Sequence, residues 1–291
     1  MTMGAVERMS PTTLLRLGRI SNLPTVWTNV LAGAVLGGGD LRNWRLGLVL
    51  LVMSLFYVGG MYLNDYFDRA IDARERPERP IAAGAIAPGA VATIGFGLLG
   101  AGLLAAAATG WKAAALAALL GTAIIAYDLH HKDNPWAPAV MGTCRALVYC
   151  TAAAAVSGQV PLLAAAAGAA MGAYVAGLTY AARQESLDKV GNLWPLVLLA
   201  APMVPALGAL HHGIGAAAIY LLPLAATAIA VYLLARRPGV GAVSRAVALL
   251  IAAISLADAA MLAGFGAVGP ALVAIIGFPV TLTAQRYIAG T

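Results

Sequence analysis

Runs of roughly twenty mainly apolar residues recur ten times along this 291-residue chain, and that recurrence limits the possible folds more than any other feature. About 20 apolar residues in a helix span the hydrocarbon core of a bilayer. The runs fall near 21–39, 46–66, 86–109, 111–129, 137–157, 161–182, 193–211, 214–235, 242–264 and 268–285, broken by punctuation such as Gly37-Gly38-Gly39 and Pro238-Gly239. Composition agrees: 61% of residues are hydrophobic and 10% charged, against about 45–50% and ~25% in soluble domains. A water-soluble globule is excluded. The chain is expected to be an all-α polytopic membrane protein, a bundle of nine or ten transmembrane helices. The spans leave no room for a sizeable soluble domain, so residues 1–291 read as one transmembrane domain.

The 18 Lys and Arg against 12 Asp and Glu give a net charge of +6. Basic residues without interleaved aromatics do not suggest nucleic acid, and the positive-inside rule accounts for the excess. Arg8, Arg16 and Arg19 precede the first run. Arg69, Arg74, Arg76, Arg79, Lys132, Arg183, Lys189, Arg236, Arg237, Arg245 and Arg286 fall in alternate connections, whereas the other side holds Arg42, Arg45 and Lys112. That asymmetry places the N-terminus in the cytoplasm of a multi-pass inner-membrane protein. The first twenty residues lack the apolar core and cleavage site of a signal peptide, so the first span reads as its own insertion signal. Cys144 and Cys150 lie six apart, too far round any helix to bridge locally, and read as small core residues.

The acids concentrate at the end of the second run, in Asn64-Asp65-Tyr66-Phe67-Asp68-Arg69-Ala70-Ile71-Asp72. If the helix continues, Asn64, Asp68 and Asp72 stack at i, i+4 and i+8 on one face, with Asp65 about 100° away. Carboxylates so close repel one another, and nearby arginines or divalent cations must compensate. Oxygen donors without His or Cys suit Mg²⁺, and the following Arg74, Arg76 and Arg79 can clamp oxyanions. Together these features read as a diphosphate site, the plainer alternative being a cytoplasmic loop whose arginines pair with the aspartates.

A second charged stretch, Arg183-Gln184-Glu185-Ser186-Leu187-Asp188-Lys189, ends the sixth run on the same membrane side. Glu185 and Asp188 share a helix face there and could hold a second Mg²⁺, flanked by Arg183 and Lys189. Arg145, about 10 Å inside the fifth run, reads as a diphosphate contact rather than the partner of a bundle acid. Asp258 reads as a hydrogen-bonded structural acid. The pairs His130-His131 and His211-His212 read as interfacial polar residues. Asn22, Thr25 and Asn29 follow one helical face that either lines a cavity or bonds a neighbouring helix.

At these residues the chain resembles the UbiA superfamily of intramembrane prenyltransferases. Asn64-Asp65-x-x-Asp68-Arg69-x-x-Asp72, followed by Arg76, Arg79-Pro80 and Gly84, is similar to its first signature. The opening Arg19-Ile20-Ser21-Asn22-Leu23-Pro24-Thr25, Tyr127 followed by Lys132, and the charged end before Lys189-Val190-Gly191 extend the resemblance over most of the chain. Two stretches, 130–145 and 183–188, resemble the branch found in ebo operons. The resemblance implies nine helices around a laterally open cavity, a polyprenyl diphosphate donor, a small-molecule acceptor and Mg²⁺. With it, Asn64, Asp68 and Asp72 are expected to hold the metal, Glu185 and Asp188 standing in for the second signature's carboxylates, and Asp68, Asp72 and Asp188 are expected to be catalytic. Arg76, Arg79, Lys132, Arg145, Arg183 and Lys189 fall to the diphosphate, and Asn22, Asn29 and Tyr127 to the substrate cavity. The second family signature expects carboxylates near 183 and 187, where this chain has Arg183 and Leu187. The competing readings are a non-catalytic lipid-diphosphate binder and a small-molecule transporter. No second copy of the acidic ladder supports the transporter.

Overall fold

The computed structural model describes residues 10–132, 134–184 and 191–290, so Glu185, Asp188 and Lys189 lie outside the described residues. Regular structure among those residues is helical. The helices are α1 (Pro11–Leu17), α2 (Leu23–Leu36), α3 (Arg45–Glu75), α4 (Pro88–Ala107), α5 (Trp111–His130), α6 (Ala137–Ser157), α7 (Leu162–Ala182), α8 (Met203–Ala206), α9 (Ile214–Arg236), α10 (Ala242–Gly264) and α11 (Val268–Gln285). The starts of α1, α2, α4 and α6 carry proline, whose missing N–H costs nothing in a first turn.

Nine segments among the described residues are long and apolar enough to cross a membrane. The fourteen-residue α2 is shorter than these and packs against α3 and α6. Asn22, just before α2, donates to the Gly290 carbonyl beyond α11 and accepts from Gln285 at the end of α11, so both ends of the helical array meet at one face. The span Trp194–His211 is not a continuous helix: 3-10 turns at Trp194–Ala200 and Leu207–His211 flank the four-residue α8. Pro195, Pro202 and Pro205 remove the backbone donors a regular helix would need.

At 31 residues, α3 is about 46 Å long, well over the ~30 Å hydrocarbon thickness, so its acidic end projects past the apolar layer. Trp44 and Trp111 stand exposed at one end of the bundle and Trp136 and Trp194 at the other, an aromatic belt at each interface. α10 is the axis, with 83% of its span buried against 22–28% for α4, α5, α9 and α11, whose outer faces remain apolar and exposed.

Two apolar cores form around this axis. One joins α7, α9, α10 and α11, the other α3, α4 and α5, and α2 and α6 contribute to both. Small residues let the central helices approach closely. A Cβ on Gly172 of α7 would come within 2.7 Å of the Gly142 carbonyl of α6, and one on Gly33 of α2 within 2.6 Å of the Tyr149 carbonyl. The charged helix ends converge where the two cores meet.

Candidate active site

The helix does continue through the acidic motif, and the chain then folds back on it. The Arg76 amide caps α3 on the Asp72 carbonyl, and turns at Arg76–Arg79 and Pro80–Ala85 return the loop over the helix end. Arg79 thereby reaches Asp65 at 3.1 Å and Asp72 at 3.1 Å, while Arg19, ahead of α2, binds Asp65 at 3.2 Å. Asp68 faces the end of α5, with His131 Nε2 at 3.4 Å and Lys132 Nζ at 3.6 Å. Asn64 accepts from Arg19 and donates to Asp128 Oδ1 at 3.2 Å. All four carboxylates, Asp65, Asp68, Asp72 and Asp128, are buried.

These groups border a cavity of about 400 Å³ framed by α3, α5, α6, α7 and α10. Arg19, Arg76, Arg79, Lys132, Arg145 and Arg183 all line it, against two acids, Asp68 and Glu75. A wall with so large an excess of fixed positive charge, backed by apolar helices, suits a ligand carrying several negative charges. Tyr57, Met61, Tyr127, Met141 and Arg145 also border a narrower apolar pocket of about 90 Å³ that runs on among Val26, Met53, Phe56, Leu120, Ile124 and Val148. A charged chamber thus opens onto a greasy one.

Deeper still lies a saturated polar network. Arg145 donates to Asn29 Oδ1 at 2.7 Å and Thr25 Oγ1 at 3.3 Å. Asn29 donates to both Asp258 oxygens, at 3.0 and 2.8 Å, and Tyr149 donates to Asp258. The guanidinium is therefore held from behind while its edge borders both pockets.

A sequence pattern spanning well over half the chain settles its kinship: that of the UbiA prenyltransferase family matches residues 24–240. The chain belongs to the UbiA prenyltransferase family. A digeranylgeranylglyceryl phosphate synthase of Methanothrix thermoacetophila is 40% identical to this UbiA chain over 75 residues, covering 25% of this chain and 28% of that protein. The synthase of Natronomonas pharaonis is 29% identical over 132 residues, covering 45% of this chain and 44% of its own. The chain therefore spans less than half the length of these curated relatives. A solved UbiA homologue from Archaeoglobus fulgidus, bound to GPP and Mg²⁺, is 17% identical with a TM-score of 0.59, covering 88% of this chain and 99% of that one. At that identity the likeness establishes the fold.

Within this UbiA frame the residues singled out from sequence separate clearly. Asn64, Asp68, Arg76, Arg79, Lys132, Arg145, Arg183, Asn22 and Tyr127 share the charged cavity. Asp72 is not among its lining residues, because the returning loop gives it Arg79 as a partner. Asn29 does not line it either: it lies wholly buried between Arg145 and Asp258. Asp258 is the hydrogen-bonded buried acid expected. His131 departs from the interfacial reading, being buried, stacked on Tyr127 at 4.9 Å and aimed at Asp68. Arg19 and Asp128 are additional members. The signal for Asp128 is its register: α5 buries Ala113, Ala117 and Leu120, and the same stripe ends in an acid.

Proposed function

We propose that this UbiA protein transfers a polyprenyl group from a polyprenyl diphosphate to a small nucleophilic acceptor within the membrane, with Mg²⁺ as cofactor. The observation that carries the reading is the cavity wall: six cations beside Asn64 and Asp68, opening directly onto an apolar pocket. The Archaeoglobus homologue's GPP and Mg²⁺ support the same ligands here.

The donor chemistry fits the metal. Among the described residues no three His, Cys, Asp or Glu side chains form a ready-made cage. Mg²⁺ typically needs none, since it keeps waters and is held by one or two carboxylates completed by substrate phosphates. Asn64 and Asp68 would hold it, with Asp72 joining only if Arg79 moves, and with Glu185 and Asp188, outside the described residues, as further candidates. When bound, the ion neutralises the diphosphate and improves it as a leaving group.

The chain's own residues do the rest. Arg76, Arg79, Lys132, Arg145 and Arg183 bind the diphosphate oxygens and stabilise the charge that grows as the C1–O bond breaks and its electron pair departs with the diphosphate. The apolar pocket receives the isoprenoid chain and keeps water from the allylic cation. The acceptor's lone pair forms the new bond to C1, and its proton passes to solvent. The cation-rich face lies on the cytoplasmic side, so the chamber opens to the inner leaflet.

Purified full-length protein in lipid nanodiscs, given labelled geranylgeranyl diphosphate, Mg²⁺ and acceptors including phosphorylated glyceryl ethers and phenols, should yield a prenylated product. Diphosphate binding without product across the panel would show a binder rather than a transferase.

A further inference from the structure

Asp128 is the one buried acid beside Asn64 and Asp68 that forms no salt bridge among the described residues. Asp65 and Asp72 pair with arginines, and Asp68 faces His131 and Lys132. Asp128 is 5% exposed and accepts one hydrogen bond, from the neutral amide of Asn64, while its Oδ2 has no partner among the described residues. Asp258, the other buried acid without an ion pair, has both oxygens bonded. Burying a carboxylate with half its acceptor capacity unused is costly unless a positive group completes it.

The position is specific. Asp128 borders the apolar pocket at its junction with the charged chamber, and its Asn64 contact ties it to the ladder residue one turn before Asp68. We infer that Asp128 is a ligand of the divalent cation, joining Asn64 and Asp68 from the facing helix α5. This rests on the reading of the cavity as a metal-diphosphate site. It means that two helices, α3 and α5, grip one ion between them, and that the ion sits at the inner end of the chamber where the apolar pocket begins.

The probe is Mn²⁺ alone, titrated into the full-length protein in nanodiscs and followed by electron paramagnetic resonance, then repeated with inorganic pyrophosphate. Asp128→Asn preserves the acceptor for Asn64 and removes the charge. It should weaken Mn²⁺ binding by about tenfold or more, the scale of losses seen when a metal site's supporting groups are altered. Asp128→Glu and Asp128→Gln give a second comparison at equal side-chain length: Glu should bind Mn²⁺ more tightly than Gln, whereas a packing role would leave them alike. Equal Mn²⁺ affinity of wild type and Asp128→Asn, or of the Glu and Gln variants, overturns the assignment. The two readings fail separately. Loss of affinity in Asp128→Asn without prenyl transfer by wild type leaves the ligand in place and removes the reaction. Transfer by wild type with unchanged Mn²⁺ binding in Asp128→Asn does the reverse.

Discussion

Two buried polar clusters lie in the same bundle and are built on opposite principles. The deep one, Arg145–Asn29–Asp258–Tyr149 with Thr25, is closed: the buried carboxylate uses both oxygens, and Asn29 serves as donor and acceptor at once. The outer one, around Asn64, Asp68 and Asp128, is open. It leaves Asp128 Oδ2 and His131 Nδ1 buried without partners among the described residues and surrounds itself with unbalanced cations. Buried polar networks stabilise a structure when every member is satisfied and are costly when they are not. The first cluster is therefore a fixture of the fold, whereas the second keeps unused acceptor capacity and excess positive charge, as the proposed metal-diphosphate site requires. Arg145 belongs to both, anchored in one and bordering the cavity of the other.

If that contrast is right, the clusters should fail differently. The largest effect is expected at Asp68. Asp68→Ala should lower Mg²⁺-dependent prenyl transfer by about 10²- to 10³-fold and leave the unfolding temperature in detergent nearly unchanged. A comparable loss of folded protein would mean that the outer cluster is structural after all. Next is Asp258→Ala, which strands the Asn29 amide and the Tyr149 hydroxyl in a wholly buried site. It should cost about 3 kcal/mol of stability, measured by denaturant titration in mixed micelles. Stability like that of wild type would dissolve the distinction. Arg145→Lys tests the shared member. Lysine cannot fork to Asn29 and Thr25 together, so a loss of about 2 kcal/mol in charged hydrogen bonding should divide between weaker donor binding, seen as a raised KM, and a smaller fall in stability.

The fold was legible in the sequence to a degree that soluble proteins rarely allow, because lipid imposes both helix type and helix length. The α6 and α10 runs match their helices end to end. Hydropathy could not show two things. Apolarity stops near residue 66 while α3 continues to Glu75, since what holds its last turns is ion pairing with Arg79 rather than a greasy face. The run at 193–211 is apolar throughout yet broken by its prolines, a distinction composition does not register. In the site, the cations were legible because charge near or inside a span has few other uses. Helical spacing puts Asp72 on the ladder face with Asn64 and Asp68, and leaves Asn29 either lining a cavity or bonding a neighbouring helix. Which group a side chain meets there was decided by the returning loop and by α10, and no spacing rule contains either. Asp128 escaped for the same reason: it becomes part of a site only through the angle at which α5 faces α3.

The smallest expected effect concerns Arg69, which sits in the middle of the acidic motif. The structure turns it outward: it is exposed, donates to the Tyr66 carbonyl at 2.7 Å and covers the Tyr66 ring at 4.4 Å. Unlike Arg76 and Arg79 it does not line the cavity. Arg69→Ala should therefore change stability by no more than about 0.5 kcal/mol and leave KM for the prenyl diphosphate as in wild type, while Arg76→Ala raises it. The comparison separates two roles that positive charge can play at this face. An orienting charge under the positive-inside rule acts through its sign and side of the membrane, and Arg69 meets that requirement as well as Arg76 does. A ligand acts through position. Steady-state kinetics on the two variants in one lipid composition resolves them: equal increases in KM would reduce the cavity's cations to a diffuse field, and an increase confined to Arg76→Ala would tie them to a bound anion.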